Sequence, residues 1–333
     1  RHRFRFRHQG RAGRCRSSVA LRLDHIQENA SPVSVTQAGL IRLSGPARAI
    51  ALDVLRVNSL QTGAYVSHFR GRGMEFDESR PYQPGDDPRS IDWRVTARST
   101  TAYTKLFREE RERPVLVVVD LRSTMHFATQ GCYKSVNASR AAALLAWAAH
   151  HRGDRLGGLI FGDTTHLELK PRLGRQAALR YVHELVGHRD WQQLDKHETN
   201  GTEAFKQAMS ALRRVARPGS LVVVISDFTG FSRGAQSYLS SVARHNEVLA
   251  VFINDPLERD LPPPGRYRLV APDDELAIDT YASSARRDYH NAFEQRTHEL
   301  EAFCQRYGVH LMPMSTDDDP VSTLQKALGR KAR

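Results

Sequence analysis

Two continuous apolar runs dominate the hydrophobic pattern, Val115-Leu116-Val117-Val118-Val119 and Leu221-Val222-Val223-Val224-Ile225. Each closes on an acid, Asp120 in the first case and Asp227 in the second. An unbroken run of branched apolar residues, with no polar alternation, marks a strand buried on both faces. Helices are predicted over 138–151, 174–188, 202–216, 232–245, 284–307 and 319–329. Further strands are predicted over 155–162, 165–170, 248–253 and 309–314. Residues 255–280, with Pro262-Pro263-Pro264-Gly265, read as an excursion that returns through a hairpin at 268–270 and 276–278. Strands alternating with helices over some two hundred residues predict an α/β domain, a mostly parallel sheet flanked by helices, over about 114–330. Ligands of such a sheet sit at the carboxyl ends of its strands. Both apolar strands place an aspartate there.

The pattern before Pro114 is different. Residues 36–57 have roughly helical spacing, interrupted at Gly45-Pro46. Residues 63–113 are rich in Gly, Arg and Asp and read as irregular, with a short strand near 103–107. The expected division is a basic tail over 1–33, a helical and irregular segment over 34–113, and the α/β domain.

Composition changes this picture little. With 333 residues, 40% hydrophobic and 26% charged, the chain has an ordinary globular make-up. It holds no run of about 18 apolar residues, so no membrane span is expected and a cytoplasmic location is. Cys15, Cys132 and Cys304 are scattered without a CxxC pair, which fits reduced, buried thiols. Most of the fifteen histidines are expected at the surface. Seven of the twelve net positive charges come from arginines among the first sixteen residues. That stretch has no apolar h-region, and the chain does not begin with Met, so a disordered tail outside the folded protein is expected. A nucleic-acid-binding arm is the alternative reading.

Candidate chemistry lies in two places. Asp120, Thr124, Thr202 and Asp227 offer hard oxygen ligands of the kind Mg²⁺ takes. The set resembles the metal-ion-dependent adhesion site of von Willebrand factor A domains. There an Asp-x-Ser-x-Ser loop, a Thr from a later loop and an Asp ending a further strand hold the ion. Here the loop reads Asp120-Leu121-Arg122-Ser123-Thr124, so Arg122 stands where the first hydroxyl would be. Two alternatives stay open, a conditional Mg²⁺ site or a salt-bridge cluster in which Arg122 replaces the ion. On either, alanine at Asp120 or Asp227 is expected to weaken partner binding and spare the fold.

The second place is the segment Gly71-Arg72-Gly73-Met74-Glu75-Phe76, Arg80-Pro81-Tyr82-Gln83-Pro84-Gly85-Asp86-Asp87-Pro88-Arg89, Ile91-Asp92-Trp93-Arg94 and Ala97-Arg98. Pro84-Gly85 signals a turn in which Asp86 and Asp87 favour local backbone hydrogen bonds, and the arginines and acids of the span permit an ion-pair network with Tyr82 and Trp93 as anchors. Arg80, Tyr82, Gly85, Asp86, Asp87, Arg89, Asp92, Trp93 and Arg98 form the expected partner surface. A hydrolase using Glu75, Asp86, Asp87 and Asp92 is the rival reading, which spacing alone supports weakly. No P-loop spacing is present.

These motifs, followed by Lys105-Leu106-Phe107-Arg108-Glu109-Glu110-Arg111-Glu112 and later by Ser226-Asp227-Phe228 and Asp255-Pro256-Leu257-Glu258, resemble the domain of unknown function 58 family. The resemblance covers about residues 35–330. It implies a von Willebrand factor A-like domain with a degenerate adhesion site. It also implies a MoxR-type AAA+ ATPase as partner, in an adaptor or chaperone-like role without catalysis or a small-molecule substrate.

Overall fold

The computed structural model describes residues 31–52, 74–83, 86–99, 101–109, 114–191, 201–270 and 275–328. They fall into two compact units, one of residues 62–112 and one formed by the chain on either side of it.

The larger unit opens with two helical turns, α1 (Gln37–Arg42) and α2 (Ser44–Ala47), breaking just before Gly45-Pro46. The Thr36 side chain caps α1 by accepting the Gly39 N–H at 3.2 Å. Leu40 and Ala47 are buried in the same core as the Ala-rich helix described below, and the Trp147 indole donates to the Leu40 carbonyl at 3.1 Å. Residues 37–52 therefore belong to the α/β unit. The boundary that the sequence pattern predicts at Pro114 falls where the smaller unit ends; the return of residues 37–52 to the α/β unit is not predicted by it.

The smaller unit is an antiparallel pair, β1 (Met74–Pro81) and β2 (Tyr103–Glu109), enclosing a 3₁₀ turn (Pro88–Ser90) and one helical turn, α3 (Trp93–Thr96). The register slips between Phe76 and Glu78. That slip hides β1 from any period-two reading of the sequence.

The α/β unit continues through β3 (Pro114–Asp120), α4 (Lys134–Arg152), β4 (Arg155–Phe161), β5 (His166–Arg172), α5 (Arg175–Val186) and α6 (Gly201–Val215). It then runs through β6 (Leu221–Ser226), α7 (Arg233–Ala243), β7 (Glu247–Asn254) and the short α8 (Pro256–Arg259). The hairpin β8 (Arg266–Val270) and β9 (Glu275–Asp279), then α9 (Ser283–Tyr307), β10 (His310–Ser315) and α10 (Pro320–Leu328), complete it. The six-stranded sheet has the order β10-β7-β6-β3-β4-β5, parallel except for β5 at the edge. Pro171, which cannot donate to a ladder, lies on that edge strand. This is the mostly parallel α/β class that the alternation of strands and helices predicts, and the von Willebrand factor A-like fold that the family resemblance implies.

Alternation along the central strands explains why both faces are covered. Val115, Val117 and Val119 of β3 pack with α4 and α5, while Leu116 and Val118 pack with α6, α7 and α9. β6 divides its side chains in the same way. Each face must then carry helices, because burying about 25 cal/mol per Å² of apolar surface is what holds the layers together. α4 begins four residues before the alanine-rich stretch, since Lys134 and Asn137 both find buried partners.

Candidate functional site

Parallel pairing of β3 with β6, Val119 opposite Ile225, carries both strands to the same edge of the sheet. Asp120 ends one strand and Asp227 follows the other, so two carboxylates meet at the carboxyl end, the place expected for a ligand. Arg122 occupies the space between them. Its Nε donates to Asp120 Oδ1 at 3.0 Å and Oδ2 at 3.1 Å, and its Nη2 to Oδ2 at 2.6 Å. Nη2 also reaches Asp227 Oδ1 at 3.4 Å. Nη1 donates to the carbonyls of Gly201, at 2.7 Å, and Thr229, at 3.0 Å. The guanidinium lies 4.9 Å from the Phe205 ring centroid, which completes a fully buried, fork-on-fork pairing.

A second cation enters from α4. Lys134 Nζ donates to Asp227 Oδ2 at 2.9 Å and to Glu258 Oε1 at 2.6 Å, and its side chain is almost wholly buried. Glu258 is held in place by its own helix. It closes a capping box on α8 by accepting the Asp255 N–H at 3.0 Å, while Asp255 accepts the Leu257 N–H at 2.9 Å. Asp255 Oδ1 also accepts the Thr129 hydroxyl at 2.6 Å, and its Oδ2 the Thr316 hydroxyl at 2.7 Å.

The electrostatics follow from these contacts. Burial pushes the Asp227 carboxyl up, but Lys134 and then Arg122 outweigh it and hold the group well below the ordinary carboxylate range. Burial alone would favour neutral Lys134, yet Asp227 and Glu258 raise its affinity for the proton. Asp120 does the same for Arg122 against the same penalty. The cluster thus holds three carboxylates against two cations.

Mg²⁺ does not fit this donor set. All four oxygens of Asp120 and Asp227 already accept N–H or O–H donors, including Ser226 Oγ on Asp120 at 2.6 Å and the Thr229 N–H on Asp227 at 3.0 Å. Two fixed cations lie against them. The Thr124 hydroxyl is buried without a hydrogen-bond partner, and Thr202 stands at the start of α6 beside Gly230. A Cβ on Gly230 would lie 2.8 Å from Thr202 Oγ1, and its φ of +77° suits glycine. The sequence motif therefore brings Asp120, Arg122 and Asp227 together, and neither threonine joins their ion pairs. Lys134 escaped the sequence reading, its early signal being a charge at the start of an apolar helix; Glu258 stands in the Asp255-Pro256-Leu257-Glu258 motif, but its pairing with Lys134 is not legible there.

The smaller unit makes an ion pair of the expected network, Arg80 with Asp86, and Asp86 and Asp87 take the local backbone hydrogen bonds that their turn position predicts. Its acids form turns and caps. Asp86 accepts from Arg80 Nη2 at 2.7 Å and from the Gln83 N–H at 2.9 Å, while Tyr82 donates to the Asp86 carbonyl at 3.2 Å. The Gln83 bond and then Arg80 hold the Asp86 carboxyl below its usual range. Asp87 caps the 3₁₀ turn through the Arg89 N–H at 3.0 Å. Buried Asp92 caps α3 through the N–H groups of Arg94, at 3.1 Å, and Val95, at 3.3 Å, and also accepts from Ser79 Oγ. Trp93 is no internal anchor, being 70% exposed, and Arg89 and Arg98 are exposed too. Gly85 and the side chain of Glu75 lie outside the described residues.

Cys132 and Cys304 are buried thiols, and burial pushes Cys304 up to about 12. Among the described histidines only His188 is buried, and both ring nitrogens of His126 are enclosed. Among the described residues no helix is long and apolar enough to cross a membrane.

Two mycobacterial proteins are similar over nearly the whole chain: uncharacterized protein Mb1516 of Mycobacterium bovis and uncharacterized protein Rv1480 of Mycobacterium tuberculosis. Each is 29% identical over 318 residues, covering 92% of this chain and 97% of the relative. Among solved structures, the conserved hypothetical protein BatB from Bacteroides thetaiotaomicron covers 65% of this chain and 94% of its own, at 14% identity and a TM-score of 0.38. An aerotolerance-related membrane protein from Bacteroides fragilis covers 65% and 96%, at 17% identity and a TM-score of 0.41. The profile of one sequence family matches residues 78–299, more than half of the chain, and the chain therefore belongs to the family described as protein of unknown function DUF58.

Proposed function

We propose that this protein is a non-catalytic docking partner that works in the cytoplasm with a MoxR-type AAA+ ATPase, in a chaperone-like or complex-maturation role. It docks through the rim formed by the loops after β3 and β6. The observation that carries this reading is the closed ion-pair cluster at that rim. Arg122 and Lys134 occupy the carboxylates that a metal or a reacting group would need, so the surface is set in shape before any partner arrives. Preorganised surfaces lose less entropy on association, which suits recognition. The ATPase partner comes from the family resemblance of the motifs at 71–112.

Capture of the ATPase encoded by the same genome, from purified components with Mg-ATP, tests the reading. Wild type is expected to retain the ATPase, and Thr229→Arg, which crowds the rim while leaving the Thr229 N–H to Asp227 in place, is expected to lose most of it. Equal retention by both, or none by wild type, contradicts the proposal.

A further inference from the structure

Beside the ion-pair cluster lies a cleft of about 200 Å³, between the loop after β6, the end of β7 and α9. It is smaller than the roughly 300–1,000 Å³ pockets that enclose cofactors and drug-sized ligands, and it suits one inserted side chain. Its wall is a run of aromatic rings. Phe231 and Phe228 lie 5.6 Å apart, Phe228 and Phe252 6.5 Å, and Phe252 and Phe293 6.3 Å between centroids. Phe228 is the one non-glycine residue among those described with a positive φ, +51°, so the backbone bears strain to set its ring there.

The charges at the mouth have a definite sign. Asp227 and Glu258 line the cleft on the cluster side, Glu299 and Arg296 on the α9 side. Among the described ion pairs Asp120, Asp227 and Glu258 meet Arg122 and Lys134, with Asp163 as a further carboxylate acting on Arg122, so the excess is negative, while Glu299 and Arg296 cancel. The Glu258 side chain, 27% exposed, is where that excess meets solvent. The wall also accepts a guanidinium already, since Arg296 lies 5.8 Å from the Phe293 centroid.

We infer that this cleft receives a cationic side chain, an arginine or lysine presented by the partner protein, with its aliphatic stem against the phenylalanines and its charge at Glu258. The inference deepens the docking reading and rests on it. It also inverts the polarity of a metal-based adhesion site: there the ion attracts a carboxylate, and here built-in cations leave a residual negative charge that attracts a cation.

An NMR chemical-shift titration of the full chain with butylguanidinium tests this without any partner protein, so its failure is separate from a failure to capture the ATPase. Butylurea serves as the uncharged isostere and butyrate as the anion. Butylguanidinium is expected to shift the amides of 228–231 and 293–300 saturably, with butylurea and butyrate at least about fivefold weaker. Glu258→Gln and Glu299→Gln, the latter at an exposed position, should each weaken butylguanidinium by about three- to fivefold, while Arg296→Gln should tighten it. Glu299→Gln and Arg296→Gln keep the test decisive should Glu258→Gln fold poorly. Butylurea binding as well as butylguanidinium, tighter butyrate binding, weaker binding by Arg296→Gln, or no saturable shift would each overturn the inference.

Discussion

Lys134 Nζ lies 2.9 Å from Asp227 Oδ2, although 93 residues separate the two in the chain. The contact joins the first turn of α4 to the end of β6 and is closed from water on both sides. Together with the pairing of Arg122 and Asp120 it fixes the rim on which the functional reading depends. A buried ion pair of this kind is costly to break, because the remaining charge cannot recover its hydration.

Lys134→Met and Asp120→Ala should therefore each destabilise the fold by about 3–5 kcal/mol, read as a shift in the urea unfolding midpoint. This corrects the expectation that alanine at Asp120 or Asp227 would spare the fold: both carboxylates are buried supports of the rim. A variant within about 0.5 kcal/mol of wild type would show that the pair is open to water.

Acid should expose the same linkage. The folded Asp227 carboxyl is held below its ordinary value, so its contribution is present above the unfolded carboxylate range, about pH 4, and is lost as the pH falls below it. Asp227→Asn removes this group. The variant should be less stable than wild type at pH 7 but lose less stability between about pH 5 and 3. Parallel pH profiles for the two proteins would contradict the pairing.

In the smaller unit, Asp92→Ala should cost about 1 kcal/mol through loss of the α3 cap, whereas Trp93→Ala should stay within about 0.5 kcal/mol. Differential urea midpoints separate the two. The opposite order would make Trp93 an internal anchor and Asp92 a free group.

Cys304, buried and with its thiol pushed up to about 12, should resist iodoacetamide at pH 8 in the folded protein and react once it is unfolded in urea. Labelling of the native chain at the unfolded rate would contradict its enclosure.

Much of this architecture is legible in the sequence because the signals are local. The apolar runs at 115–119 and 221–225 carry their own strand assignment, and each run leads to its acid within two residues. Arg122 could be placed because it sits two residues from Asp120. The pairing of Lys134 with Glu258 could not, since the two are brought together by the sheet topology, even though the Asp255–Glu258 capping box is itself local. The β1 strand is missed for a different reason: its polar residues and register slip leave no alternation to detect. The turn at Pro84-Gly85 is legible as well, since Asp86 and Asp87 take local backbone hydrogen bonds, whereas Asp92, which caps α3, looks in sequence like one more member of an ion-pair network.

Calorimetric titration of the full chain with millimolar Mg²⁺ tests the central claim most directly. With Arg122 and Lys134 holding the carboxylates of Asp120 and Asp227, no saturable heat is predicted. A stoichiometric binding isotherm that disappears in Asp227→Asn would contradict the account, since an ion would then occupy the place assigned to those two side chains.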